Sequence, residues 1–234
     1  MNAEPVTAVT PRPVRYAVMA QWWREVAFLH WPVDPELATR LMPPRVRPDL
    51  HDGVTYVGLV AFRMARTRLL GLPPVPYLGS FPETNVRLYS VDAQGRRGVV
   101  FLSMDAARLV PVTAARAVLG LPYRWSTMGV AVDGDTRVYR CRRSGGGHSR
   151  LRVRVGERIT PSPLELFLTA RWGLHHGRRY LANEHPSWPL RRAELVDCDD
   201  TLVTAAGLPG IADQPPVSVL YSPVVYARFG PTAG

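Results

Sequence analysis

Prolines and glycines, 23 and 19 of them in 234 residues, are scattered along the whole chain, and they constrain its fold more than any other feature. Proline lacks the N–H that a helix interior needs, and glycine carries the largest backbone entropy cost. Long helices therefore have little room. The runs between the breaks are apolar or alternating, which is the pattern of strands. Val54–Met64 is almost continuously apolar, as is Gly98–Met104, and both predict strands covered on both faces. Thr136–Arg143 and Ser149–Val155 flank a Ser-Gly-Gly-Gly turn and predict a hairpin. Its second strand alternates Arg150, Arg152 and Arg154 with Leu151, Val153 and Val155, giving one wet face. Val217–Tyr221 and Val224–Phe229 read as two more strands, with Pro223 between them as a turn or an edge.

Helix signals are few. Ser162-Pro163-Leu164-Glu165 supplies a capping serine, a first-turn proline and a glutamate three residues after the cap, opening a helix through about Trp172. Thr113–Leu119 reads as a second helix, stopped by Gly120 and Pro122, and Asp200–Ala206 as a third, ending at Gly207. The expected organisation is an N-terminal arm over residues 1–18 and one mainly β domain over 19–234, long enough at 46% hydrophobic content to bury a full core. No apolar run reaches the length of a transmembrane helix, and the N-terminus lacks the basic start and apolar stretch of a signal peptide. A cytoplasmic protein is expected.

All 29 basic residues are arginine, and the formal net charge is +10. Without lysine the chain has no side-chain amine for a Schiff base or a pyridoxal-phosphate aldimine. Arginine instead grips carboxylates or phosphates in a two-point fork. The basic balance raises nucleic acid as a partner, but the arginine row on the hairpin has no interleaved aromatics for base stacking and reads as a solvated face. Cys141 and Cys198 read as free, buried thiols. Nucleophile-elbow, phosphate-loop, dinucleotide-binding and zinc-protease motifs are all missing. The six histidines, including adjacent His175 and His176, show no metal-ligand spacing. No metal and no cofactor is expected.

The segment most suggestive of chemistry is Glu83-Thr84-Asn85-Val86-Arg87-Leu88-Tyr89. As a strand it puts Glu83, Asn85, Arg87 and Tyr89 on one face and Val86 and Leu88 on the other. On an open sheet such a polar row faces water; in a closed barrel it points inward and lines a polar cavity. Glu83 and Arg87 stand about 13 Å apart along the strand, too far for a direct ion pair. A carboxylate, an amide and a guanidinium on one face can anchor an anion and move a proton if burial raises the carboxyl pKa. His30, in His30-Trp31-Pro32, ends an apolar run and fits either a barrel mouth or a hydrogen-bonded structural role.

Several segments together resemble an uncharacterised bacterial family, DUF2071, of the acetoacetate decarboxylase-like superfamily: Trp23-Arg24-Glu25 through Pro32-Val33-Asp34, Leu41-Met42-Pro43-Pro44, Glu83-x-Asn85-x-Arg87-x-Tyr89, Ala115-Arg116 through Pro122-Tyr123, and Tyr221-Ser222-Pro223. The resemblance spans roughly residues 20–230. It implies a β-barrel or cone with a central cavity and a few flanking helices, an active-site arginine at Arg24, an active-site glutamate at Glu83 and the family's helix arginine at Arg116. It places the Schiff-base lysine position on Tyr123, which cannot form an imine, and Ala117 stands where the decarboxylases carry glutamate.

Two functions follow as expectations. The first is an enzyme acting on a small carbonyl or carboxylate compound by non-covalent acid/base chemistry of lyase, isomerase, dehydratase or cyclase type. Glu83 and Tyr123 would be catalytic, with Arg24, Asn85, Arg87, Arg116 and His30 binding substrate. The second is a non-catalytic barrel that carries or senses a small molecule, walled by Trp22, Trp23, Trp31, Trp125 and Tyr123. In both, the expected partner is an anionic or carbonyl-bearing small molecule rather than nucleic acid or a membrane.

Overall fold

The chain begins its sheet with β1 (Met19–Val33), and a short helix α1 (Pro35–Arg40) leads to β2 (Val46–Pro48), β3 (Thr55–Leu69), β4 (Phe81–Asp92) and β5 (Arg97–Ala106). A run of antiparallel strands follows: β6 (Tyr123–Asp133), β7 (Thr136–Arg143) and β8 (His148–Arg158). Helix α2 (Pro163–Thr169), β9 (Gly173–His176), β10 (Arg179–Glu184), β11 (Arg191–Asp200), α3 (Leu202–Ala205) and β12 (Ser218–Phe229) complete it. This computed structural model describes residues 3–74, 76, 77, 79–108 and 120–232. The helix expected over Thr113–Leu119, with Arg116 in it, lies outside the described residues.

The strands pair into one 12-stranded sheet. Pairing runs from β5 through β6, β7, β8, β11, β12, β1, β3 and β4 and back to β5, closing a 9-strand barrel. A second circuit shares part of that wall. Strand β12 also pairs with β10, β10 with β9, and β9 with β5, so β12, β1, β3, β4 and β5 have an interior on each side. Leu29, Leu59, Val86 and Leu88 fill the first interior against Tyr139, Leu151 and Val153. Phe28, Val60, Phe62 and Phe81 point the other way, with Leu190 and Leu220, and Phe167 and Leu168 of α2 pack beyond them on Tyr89 and Met104. This double burial is why Val54–Met64 carries no polar alternation, and each large side chain removed from water contributes about 1.5–3 kcal/mol.

Several local readings are refined. Strand β12 runs unbroken through Pro223, where a turn or edge was expected. The residue opposite is Glu25, with φ of 51°; the β12 register is unchanged across it, from Arg24↔Val224 to Val26↔Ser222, while on the other side the pairing with β3 slips by one residue between Arg24↔Arg63 and Ala27↔Ala61. A bulge in β1 thus sits where proline has no N–H to give. The bulge is fastened by Tyr221 Oη on the Glu25 carboxylate at 2.7 Å, by Arg137, and by Tyr139 Oη on the Glu25 carbonyl at 2.7 Å. Helix α2 forms the expected capping box between Ser162 and Glu165 but stops at Thr169. Helix α1 was not anticipated, although Asp34 accepts from Glu36 N and Pro35 follows as the first helical residue. The outward arginines of β8 face acids of β11, with Arg154 to Glu194 at 2.6 Å and Arg150 to Asp197 at 3.2 Å. Both cysteines are free, and no helix among the described residues is long and apolar enough to cross a membrane.

A buried ion network ties the second interior to the N-terminal segment. Asp49, 2% exposed, accepts from Arg171 Nη1 at 2.5 Å and from Arg97. Arg97 Nε reaches the Glu4 carbonyl at 2.6 Å, and the Glu4 carboxylate takes Arg97 N at 2.8 Å and Arg12. Removing the acid between buried Arg171 and half-buried Arg97 leaves a buried charge uncompensated, so Asp49→Ala is expected to lose about 3–5 kcal/mol in urea denaturation, with Asp49→Asn between it and the parent.

Candidate functional site

The register of the shared wall assembles a polar cluster on the face of the second interior. In one row across the sheet, His30 pairs with Ser218 on one side and Gly58 on the other, and Gly58 pairs with Arg87. In the next, Leu220, Phe28, Val60, Asn85, Met104 and Tyr123 follow in order. Beyond it Glu83 lies between Phe62 and Ala106, and Ser222 pairs with Val26. Paired residues share a face, so Glu83, Asn85, Arg87, Tyr89, His30 and Tyr123 converge although they come from three strands. Gly58 makes the approach possible: a Cβ there would meet Tyr89 Oη at 3.2 Å, His30 Cδ2 at 3.3 Å and Arg87 Cγ at 3.4 Å.

Glu83 is 2% exposed. Tyr123 Oη donates to its Oε2 at 3.2 Å, and Asn85 hydrogen-bonds it as well. Burial outweighs these bonds and pushes the Glu83 carboxyl up to about 8. At neutral pH it holds a proton. Burial also drives the Tyr123 phenol well above its ordinary value, with the Glu83 carboxyl adding to the shift, so Tyr123 stays a donor.

Arg87 is half-buried. Its Nη2 donates to Leu168 O at 3.1 Å and Tyr89 Oη at 3.2 Å, and its guanidinium lies 5.7 Å from the Phe28 ring centre. Among the described residues it forms no ion pair with a carboxylate. His30 is fully buried, and neither ring nitrogen has a hydrogen-bond partner. Burial, then the charges of Arg87 and Arg171, hold its pKa well below 6.5, so the imidazole is neutral. Asn85 Oδ1, Arg87 Nε, Trp23 Nε1, Ser218 Oγ and Ser222 Oγ likewise lack partners among the described residues. Buried polar atoms are normally satisfied. So many open donors and acceptors on one interior face mark it as a surface suited to a polar ligand.

Two readings move. Arg24 is exposed on the outer face, because alternation around the Glu25 bulge turns Trp23 inward, stacked on Trp188 at 5.8 Å. Of the aromatic walls expected for a pocket, Trp23 and Tyr123 face this interior. Trp31 enters the other barrel and bonds Gln214 O at 2.7 Å, while Trp22 and Trp125 are 38% and 48% exposed. His30 lies deep in the wall rather than at a mouth.

Residues 20–226 match the family DUF2071, described as an uncharacterized conserved protein. The chain belongs to the DUF2071 family. A relative from Bacillus subtilis strain 168, the uncharacterized protein YqjF, is 30% identical over 200 residues and covers 82% of each chain. Solved structures with the same fold include an acetoacetate decarboxylase-like enzyme from Sphingomonas wittichii RW1, with a TM-score of 0.63 and 12% identity over 93% of this chain and 92% of that one. Acetoacetate decarboxylase from Legionella pneumophila follows at 0.60 and 16% over 96% and 92%, and the enduracididine biosynthesis enzyme MppR, complexed with pyruvate, at 0.58 and 17% over 92% and 88%. This DUF2071 chain therefore has the acetoacetate decarboxylase-like fold.

Sequence reasoning missed Ser218 and Ser222 in the DUF2071 cluster. Their signal was the alternation of Ser218, Leu220 and Ser222, which puts serines on the same inward face as Leu220. Among the described residues, no group of three or more His, Cys, Asp or Glu side chains is placed to hold a metal ion.

The Glu83 shift has a stability consequence. With its folded pKa raised from 4.5 to about 8, the folded state keeps a proton that the unfolded chain releases, so this contribution is fully present below pH 4.5 and lost as pH rises through 8. Glu83→Gln removes the effect. Chemical denaturation of both proteins across that range is expected to show the parent losing stability relative to Glu83→Gln with rising pH; parallel profiles would contradict it.

Proposed function

We propose that this protein is an enzyme acting on a small carbonyl-bearing carboxylate by non-covalent acid/base catalysis. One observation carries the reading: a buried carboxyl held near pH 8 shares an interior face with an arginine that has no carboxylate partner among the described residues. The arginine lends the substrate's carboxylate a two-point grip. The carboxyl, protonated at neutral pH, is matched to deliver or take a proton at an adjacent carbon or oxygen.

The roles follow from the contacts. Arg87, steadied by Tyr89 and Leu168, binds the anionic group. Tyr123, at hydrogen-bond distance from Glu83, donates to a carbonyl oxygen as negative charge develops there. Glu83 transfers the proton, and Asn85 orients its carboxyl while offering a free Oδ1. Neutral His30 offers one ring donor and one acceptor without adding a second positive charge. A covalent imine plays no part, since the chain has no lysine, and Tyr123 occupies the position that the resemblance assigns to the decarboxylases' nucleophile. The chemistry left to such a site is proton transfer next to a carbonyl, in a lyase, isomerase, dehydratase or cyclase reaction. MppR's complex with pyruvate supports a small oxo acid as the substrate class.

A second reading, a carrier of the same ligand, is favoured by the aromatic lining of Trp23, Trp188 and Phe28. Native mass spectrometry of the purified protein, gentle against denaturing, is expected to release a non-covalent carboxylate. With that compound as substrate, Glu83→Gln is expected to lower kcat by about 10²–10⁴-fold, and Arg87→Gln to weaken binding. Unchanged turnover in Glu83→Gln would refute the mechanism. Tight binding by both proteins with no conversion would make the protein a carrier.

A further inference from the structure

A second cluster of charge lies at the far end of β4, where the β4–β5 turn, the β9–β10 turn and the approach to β2 enclose a cleft of about 180 Å³. Asp92, at its edge, is nine residues along β4 from Glu83, roughly 30 Å by the rise of a strand. It is thus separate from the proposed catalytic cluster. Arg45, Arg96, Arg178 and Arg179 line the cleft, with Asp92 as the one acid and His175 beside it.

The charges do not cancel. Asp92 is already saturated, accepting from Arg96 Nε at 2.7 Å, Arg96 N at 2.9 Å and Gln94 N at 3.0 Å. That leaves Arg45, Arg178 and Arg179, none of which has a carboxylate partner among the described residues. Arg96 is further held over the Tyr180 ring at 4.6 Å, so it contributes a fixed wall. His175 is 3% exposed. Its Nδ1 meets Ser90 Oγ at 2.8 Å, and its Nε2 has no hydrogen-bond partner, lying 3.4 Å from Asp92 Oδ2. The cleft combines three guanidiniums that have no carboxylate partner among the described residues with one acid already held by Arg96.

We propose that this cleft is a binding site for a phosphate group carried by a small molecule or present as the free ion. A carboxylate brings one negative charge and is satisfied by a single guanidinium fork, whereas three arginines around one volume call for a compact dianion with several acceptor oxygens. The cleft's size admits one such group and not a run of backbone phosphates.

The test is isothermal titration calorimetry with inorganic phosphate, with acetate as the monoanion control, at a fixed ionic strength set with chloride. Saturable phosphate binding is expected in the parent, at least tenfold tighter than acetate. It is expected to weaken at least tenfold in Arg178→Gln/Arg179→Gln and in Arg45→Gln, and to persist in Arg87→Gln. The variants lie on the exposed surface, and unchanged melting temperatures without phosphate establish that they are folded. Phosphate binding no stronger than acetate's, or binding that survives the cleft variants, would overturn the proposal. Loss in Arg87→Gln alone would overturn it by moving the ion to the Glu83 cluster. So would a single-stranded oligonucleotide that binds tighter than phosphate, weakens steeply with salt and depends on the same arginines, because the cleft would then belong to a nucleic-acid surface.

Discussion

The wall made by β12, β1, β3, β4 and β5 has an interior on each side, and most of what sets this protein apart follows from that. In an open sheet a strand sends alternate side chains to water. Strand β4 cannot. Val86 and Leu88 fill one barrel while Glu83, Asn85 and Arg87 are driven into the other, where low polarity magnifies every charge and every missing hydrogen bond. The fold gives up stability to hold polar groups there, and the proposed function rests on that cluster.

Electrostatics then sorts the groups into two kinds. Asp49, between Arg97 and Arg171, is a matched buried ion network that anchors Glu4 and the segment behind it to the barrel. Glu83 and Arg87 are the opposite case. They share a face but form no ion pair, so the carboxyl rises to about 8 and the guanidinium keeps its charge for something else. Neutral His30 and the phenol of Tyr123 complete a surface with one fixed positive charge and one transferable proton.

Much of this was legible in the sequence, and the gaps have physical causes. The breaker residues and the continuous apolar run at Val54–Met64 pointed to doubly covered strands, and the Glu83 to Tyr89 alternation placed its polar row on one face. Which way that row pointed depended on closure of the sheet, a property of distant pairings such as β12 with β10. Arg24 turns outward because a single-residue bulge at Glu25 fixes which neighbour faces inward, and nothing within β1 signals it; the bulge shows only in the slipped pairing with β3 and in Pro223 opposite, some two hundred residues away. The same long-range pairing hid Ser218 and Ser222. Helix α1 was a local omission, since Asp34-Pro35-Glu36 is a short capping signal.

The measurement that bears most directly on the account is difference infrared spectroscopy of the parent against Glu83→Gln as a function of pH. The account predicts a protonated carboxylic acid band assigned to Glu83 at neutral pH, lost in an ionisation centred near pH 8. A band that disappears near the ordinary glutamate range, or that is absent at pH 6, would mean that Glu83 is ionised in the folded protein and that the buried-acid site does not exist.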